Sequence, residues 1–524
     1  MKTIKLIFLL LILFVSNVNF AQFGTLDTSF GRDGIVITPF TGFDAAVQSL
    51  LIQPDKKIIA GGSVTKSGST QFSLARYNIN GSLDETFGNL GQAITDYPEL
   101  MVMSSMALQS DGKIIVAGNL YNSSISISRF VLVRYDSNGI LDTSFGIDGR
   151  VITNISDKLD RISSVIIQND GKIIASGATS DDATYSDFAM VRYNFNGTLD
   201  TNFGNNGVVV ISIKAWDYAN AITLQNDNEI IIAGAISKEF DLNLGFDYDF
   251  GVSKFDKYGV LDAAFGNGGS VIIGTTEANE KAFSVNILPD GNIVLAGEQH
   301  SSKYAFMLAQ LLPNGDLDTS FGDNGTFVNS LTSEFIESVA MQIDGKFLIT
   351  EYHGTGGCCS ADIKLIRFLD DGNYDTTFGT NGVVTANFLN ENNQANAIAV
   401  QADGNIIIGG VSGNQIHSDY GLARFNSELA LSNPINTIQN NTFSAYPNPV
   451  NQIVNLDFNL KESQKLDVDL FNINGVKVAN LLNNKEFPLG YTSQKISLPE
   501  TLSKGVYFLS ISNGKFLSNI KIVK

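Results

Sequence analysis

The sequence predicts an all-β protein: a seven-bladed β-propeller of four-stranded blades, closed by its N-terminal strand and followed by a small C-terminal β-sandwich. Three observations predict it. A Leu-Asp-x-x-Phe-Gly element recurs at a nearly fixed spacing, each spacing holds four short β-rich runs around a turn signal, and after Phe425 this pattern gives way to a different one.

The chain opens with Lys2 and Lys5 ahead of an apolar run, Leu6 to Val15, then Ser16, Asn17 and Ala21-Gln22. This reads as a signal peptide over residues 1–21, cleaved after Ala21. The run is about half the roughly 20 apolar residues a spanning helix needs, and no other stretch reaches that length, so no transmembrane segment is expected. The two cysteines are adjacent, Cys358-Cys359. An exported chain of this size with one vicinal pair is held by packing and not by a disulfide framework.

The net charge of −19 is uneven: residues 1–21 carry +2 and residues 442–524 carry +3, which leaves −24 for the body. Such a body repels phosphate backbones and anionic lipid, which argues against nucleic-acid and membrane-surface partners and favours divalent cations or basic ones.

The repeated element stands at Asp27/Phe30, Asp84/Phe87, Asp142/Phe145, Asp200/Phe203, Asp262/Phe265 and Asp318/Phe321, with Tyr in place of Leu at Asp375/Phe378. Successive aspartates lie 57, 58, 58, 62, 56 and 57 residues apart. Each unit also holds a hairpin signal, such as Asp111-Gly112, Asp170-Gly171 and Asp344-Gly345, for which a two-residue turn with both residues at positive φ is expected. The first and fourth copies, at Lys56-Lys57 and Asp227-Asn228, lack the glycine. In unit one the runs Gly34–Thr38, Val47–Gln53, Lys57–Gly61 and Phe72–Tyr77 read as strands. Runs such as Ile114-Ile115-Val116 do not alternate with polar residues, so both faces of those strands are covered by neighbouring sheets. Seven four-stranded units fit a closed ring, and the last unit lacks its own terminal element, so the N-terminal strand is expected to complete it. The period and the LDxxFGxxG spacing over residues 22–430 resemble the delta-60 repeat family, which implies propeller blades and no single activity.

An Arg recurs in the last strand of the unit as Arg76, Arg134, Arg192, Arg367 and Arg424, with Lys254 and Gln310 at the other two positions. Pairing with the aspartate of Leu-Asp, once per blade, is the expected role. The Phe is expected to staple adjacent blades. No cofactor is implied. Calcium in Asn/Asp-rich turns such as Asp148 or Asp323-Asn324 is the alternative, against which stands the missing full ligand set of a calcium loop.

Alternation of strand direction puts the Asp-Gly hairpins and the Leu-Asp connections on one end of the ring, where their lengths hold constant. The other two connections fall on the opposite end and vary, which is where binding is expected. On that end lie Asp187, Asp249, Asp362 and Asp419, an arc able to attract cations or basic ligands or simply to cap strand ends. Trp216 lies there too, placed to stack on a sugar or peptide or to cap the rim. So do all three histidines, His300, His353 and His417, a transition-metal reading weighed against three separate exposed loop residues.

Residues 431–441 form a polar linker. From 442 to 524 a new pattern runs through Tyr446-Pro447-Asn448-Pro449, an Asn474-Gly475 hairpin, Gly505-Val506-Tyr507 and a terminal Lys521-Ile522-Val523-Lys524. These motifs resemble the type A C-terminal sorting domain of the type IX secretion system of Bacteroidota. The resemblance implies passage through the periplasm, recognition of the tail by the secretion machinery, and release from or anchoring to the outer-membrane surface.

No nucleophile elbow, phosphate loop or HExxH is present. The sequence therefore points to a secreted or cell-surface, non-catalytic binding scaffold for a glycan or protein ligand. A secreted hydrolase or lyase using acids or a metal on the variable face is the alternative, and a self-associating surface component the third reading.

Overall fold

The computed structural model describes residues 24–426 and 443–524, apart from 96, 98, 123–126, 183–184, 226–227, 242–244, 275–277, 289, 302, 331–334, 353–361, 389–391 and 414–416 in the first span and 447–449, 451, 461–462, 473–476, 500–501, 503–504 and 513–516 in the second. The expected signal peptide, the linker, His353, Cys358-Cys359 and Pro447-Asn448-Pro449 lie outside the described residues. The chain separates into two compact units, dividing between Glu428 and Leu429.

In the first unit the described strands pair antiparallel into seven sets of four, the blades, of which blades two, three and four are joined edge to edge by single parallel pairings, Ser128 with Leu159 and Ser186 with Trp216. Blade one comprises Asp44–Ile52, Ile58–Lys66, Ser69–Tyr77 and Gln92–Ile94. Blade seven takes its fourth strand from the other end of the chain: Ile35–Thr38 pairs with Ser418–Phe425, Ile35 opposite Ala423. The first strands of the blades, from Asp44–Ile52 round to Asn392–Val400, pack on one another in cyclic order, and Asp44–Ile52 touches its neighbours in both blade two and blade seven. The ring is closed, with the first strands innermost.

Both faces of the second strands are covered. Ile58, Ile59, Ala60, Ile114, Ile115 and Val116 have no exposed surface, and successive residues of one strand feed different inter-blade cores: Ile58 and Ala60 one, Ile59 the next. The hairpin turns depart from the expected geometry. Only the glycine takes positive φ, as at Gly112 (84°) and Gly171 (83°), and Gly112 N–H bonds the Gln109 carbonyl while Gln109 N–H bonds that of Lys113. This is a three-residue loop with a left-handed last position, which needs one glycine and not two permissive residues. Lys56 (69°) and Asn228 (64°) take that position where glycine is missing.

A feature with no obvious sequence mark recurs in each first strand: a β-bulge, at Gln48, Ser104, Ser163, Asn220, Phe283, Glu337 and Asn396. The extra residue bends the strand around the axis and re-aims its side chain. Three of these side chains bond the next blade: Asn220 Nδ2 donates to the Ala282 carbonyl (2.9 Å), Asn396 Nδ2 to that of Val47 (2.8 Å), and Glu337 Oε1 accepts from Gln394 Nε2 (2.9 Å).

The second unit has two sheets, one of three strands (Phe443–Tyr446, Ile453–Leu460, Gly490–Ser497) and one of four (Lys477–Phe487, Gln464–Asn472, Val506–Ser512, Leu517–Val523). Val454, Leu456 and Phe458 of the first share one buried core with Leu466, Val468, Leu509 and Ile522 of the second, as in a β-sandwich. Gly505 and Lys524 exchange backbone hydrogen bonds, Lys521 pairs with Phe508, and Tyr507 is buried.

Candidate functional site

Most of the recurrent chemistry is spent between blades. Arg76 Nε donates to Asp84 Oδ2 (2.8 Å) and its NH1 reaches the Ser137 carbonyl of the next blade (2.5 Å), with the guanidinium 4.6 Å from the Phe87 ring centre. Arg134 and Arg192 repeat this with Asp142 and Asp200, and bond the carbonyls of Phe195 and Lys257. Arg424 closes the ring in the same way, holding Asp27 (2.7 Å) from 397 residues away and donating to the Ile79 carbonyl (2.5 Å). Arg367 pairs with Asp375 (2.9 Å), whereas Lys254 and Gln310 meet Asp262 and Asp318 at 3.7 and 2.8 Å. The other oxygen of each aspartate caps its own turn, as Asp84 Oδ1 does for Thr86 (2.6 Å). Hairpin lysines join: Lys57 lies 2.9 Å from Asp84 and Lys172 2.9 Å from Asp200. Burial alone pushes the Asp84, Asp142, Asp200 and Asp375 carboxyls up, but the turn hydrogen bonds and the cations outweigh it and hold all four below the ordinary range.

The phenylalanine works as expected, and its partner is the glycine of the recurrent Asn-Gly turn in the next blade. Phe87 lies under Gly139 of the next blade, where an added Cβ would stand 2.6 Å from the ring, and Phe30 and Phe145 lie under Gly81 and Gly197 likewise. Gly31, Gly88 and Gly146 donate backbone bonds to the Asn80, Asn138 and Asn196 carbonyls of those same turns.

Chemistry not used in this way gathers at the end with variable connections. Trp216 opens the first strand of blade four through a bridge to Ser186, and stacks near Tyr218 (6.5 Å, 28°). Tyr218 meets the edge of Tyr248 (6.2 Å), and Lys281 of blade five sits 5.8 Å from the Tyr248 ring. All four are half-buried or more open. Burial, then the neighbouring Tyr218, pushes the Tyr248 hydroxyl up to about 12. Tyr218, Tyr248 and Lys281 do not stand out in the sequence because they sit on three strands; the alternation Trp216-Asp217-Tyr218 is the one local signal.

The four aspartates occupy equivalent register positions just ahead of the buried residues Phe188, Phe250, Ile363 and Tyr420, but in unlike surroundings. Asp249 is 1% exposed and packs against Gly274; Asp187 is half-buried; Asp362 is exposed and accepts from Asn387 Nδ2 (2.8 Å). Asp419 is pushed up by burial, with Asp44 adding to the rise and His417 opposing it. The buried acid that stands out is a neighbour, Asp217. Its Oδ2 accepts from the Ile213 (2.7 Å) and Lys214 (3.0 Å) amides, while Oδ1, fully buried, has no partner among the described residues. Burial, reinforced by Asp187, pushes it up to about 6.

The two described histidines, His300 in blade five and His417 in blade seven, do not share a site. His300 stacks on Tyr304 (3.9 Å), and His417 lies 3.7 Å from Asp44 across the seam of blades seven and one. Among the described residues no three His, Cys, Asp or Glu side chains converge as a metal site, the turns at Asp148 and Asp323 included.

Residues 444–524 match the secretion system C-terminal sorting domain, and residues 53–87, 109–145, 168–203 and 288–321 match a β-propeller described as a domain of unknown function (DUF5122). A comparison with curated proteins finds no match. Similar solved structures include a protein of unknown function from Dyadobacter fermentans (9% identity, 75% of this chain and 100% of that one, TM-score 0.42). A PL25 ulvan lyase (11%, 74% and 95%, TM-score 0.40) and a mutant α-L-arabinofuranosidase from Fusarium graminearum (9%, 77% and 96%, TM-score 0.36) are others. Nothing about activity follows from likenesses this distant.

Proposed function

From the premise that the chain is a β-propeller protein exported by type IX secretion to the cell surface or the extracellular space, we propose that it is a non-catalytic binding protein that holds a glycan on its variable-loop end. The observation that carries this reading is the run Trp216, Tyr218, Tyr248 and Lys281, assembled from two blades at one mouth of the ring. Aromatic faces pack against the apolar face of a sugar ring at low entropic cost, and the Lys281 ammonium and Asp187 carboxylate beside them supply partners for its hydroxyls. Retardation of the protein in gels containing single polysaccharides, native against Trp216→Ala, tests it.

The alternative, a secreted hydrolase or lyase, is favoured by one observation: Asp217 is held partly protonated near neutral pH beside Asp187. Both amide bonds to Asp217 Oδ2 favour a structural cap instead, and Asn393, which fills the same register position in blade seven, accepts the Phe388 amide in the same manner (3.2 Å). Release of reducing ends from any polysaccharide, lost in Asp217→Asn, would establish the enzyme.

A further inference from the structure

Blade five departs from its sisters in a correlated way. Where blade three presents Gln168, Lys172 and Arg192 to the cleft it shares with blade four, blade five presents Leu288 and Gln310 to blade six and carries Asn292 at the position of Lys172. Asp318 is therefore met by Gln310 (2.8 Å) and Asn292 (3.3 Å), and by no cation among the described residues. The matching aspartates Asp84, Asp200 and Asp375 are nearly buried beneath their cations; Asp318 is half-buried, as Asp27, Asp142 and Asp262 are, but those three each keep a cation.

The aromatic staple has moved as well. Phe30, Phe87, Phe145, Phe203, Phe265 and Phe378 are at most 1% exposed, whereas Phe321 is only half-buried, and Gly372 of blade six rests on Phe327 instead. The bond from the glycine after this phenylalanine to the following turn, made by Gly31, Gly88, Gly146, Gly204 and Gly266, has no counterpart at Gly322 among the described residues. What results is a cleft of about 560 Å³ between blades five and six, against about 260 Å³ for the one holding Lys172 and Arg192. Asp290, Asp344, Asp370 and Asp371 stand around it, and Leu288, Val294, Met341 and Phe347 contribute its apolar wall. Lys346 is the one cation found beside these acids among the described residues, and it is shared between Asp344 (3.1 Å) and Asp375 (3.6 Å).

We propose that this cleft binds an arginine side chain presented by a basic protein or peptide partner, in the place that an internal arginine fills in five other blades. Those blades show what such a site needs: a carboxylate for the guanidinium, a phenylalanine ring 4.4–4.7 Å beneath it, and a carbonyl of the next blade's turn. Asp318 and Phe321 remain, half-exposed, and the apolar wall suits the methylene stem. The aspartates do not converge as a metal site, so their charge is complementary to a planar cation reaching in from outside. The site lies on the constant-length end of the ring, so it stands or falls apart from the glycan reading.

The test is calorimetric titration of the full exported chain with an acetylated, amidated Gly-Arg-Gly peptide at about 150 mM salt, with lysine and norleucine peptides as comparators. Saturable binding of the arginine peptide is expected, weaker for lysine and undetectable for norleucine. Gln310→Arg, which copies the residue of five sister blades, should fill the cleft from within, raise the melting temperature and weaken peptide binding at least about ten-fold. Asp318→Asn should weaken it similarly should the first variant not fold. Absence of binding to the native chain overturns the proposal, as does undiminished binding to folded Gln310→Arg. Equal binding of lysine and arginine peptides that survives both substitutions would reassign the effect to general acidity, and displacement by micromolar calcium would reassign the cleft to a metal ion.

Discussion

The carboxylate of Asp84 accepts from two cations and caps its own turn, and its main counter-ion, Arg76, is 6% exposed. Removing one partner of a buried pair strands the other, which typically costs about 3–5 kcal/mol. Asp84→Asn is therefore expected to lower the melting temperature by roughly 4–6 degrees at pH 7 in a thermal scan, given the size of the ring. Because the folded carboxyl lies below its unfolded value of 3.8, its stabilisation is present above that value and lost as pH falls beneath it, so native and variant should converge in acid. Asp217 has the opposite sign. Its folded value, about 6, exceeds 3.8, so the native state holds the extra proton between the two and stability falls as pH rises through that window. Asp217→Asn keeps the cap, as Asn393 shows, and should melt higher than the native protein at pH 8 with the difference vanishing near pH 4.

Between strands and turns, the geometry tolerates little change where a blade meets the next. Gly139 combines a φ of 78° with the Phe87 ring 2.6 Å from where a Cβ would stand, so Gly139→Ala should lose about 2 kcal/mol or more in denaturant unfolding. This joint is half legible in the sequence. The recurrence of Phe and of Asn-Gly is plain, and the Arg–Asp pairing can be anticipated because both residues recur with the same period; that the phenylalanine of one unit seats under the glycine of the next is a contact across a blade boundary, which no local pattern encodes. The bulges at Ser104 or Asn220 are invisible for a related reason: a bulge is a property of two strands in register, and a polar residue in a strand, which six of the seven positions hold, does not by itself mark one. For the candidate site, Trp216 is legible because tryptophan is unique in the chain and Tyr218 follows it on the same strand, but Tyr248 and Lys281 become their neighbours only through the fold. The aspartate arc reads as one feature since its members share a register position, yet burial divides Asp249 from Asp362 and only the fold sets burial.

The ring as a whole is closed by residues from opposite ends of its chain. Ile35–Thr38 in blade seven and the Asp27–Arg424 pair are the counterpart of contacts that the other blades make locally. Arg424→Met should thus act differently from the same change at Arg192: limited proteolysis is expected to release fragments ahead of Asp44 first, while the rest of the ring persists. Consecutive blades three, four and five carry Asp187, Trp216, Tyr218 and Lys281 at one mouth of that ring, where we place the ligand. The repeated residues hold the ring, and we assign binding to the unrepeated ones. This division of labour is open to a direct check by affinity electrophoresis of the exported protein in single polysaccharides, comparing the native chain with Trp216→Ala, Tyr218→Ala and Asp84→Asn at a temperature where all are folded. Retardation in at least one polysaccharide, weakened about ten-fold by either aromatic substitution and unchanged by Asp84→Asn, is the expected result. Retardation that survives both aromatic substitutions, or none in any polysaccharide, would refute it.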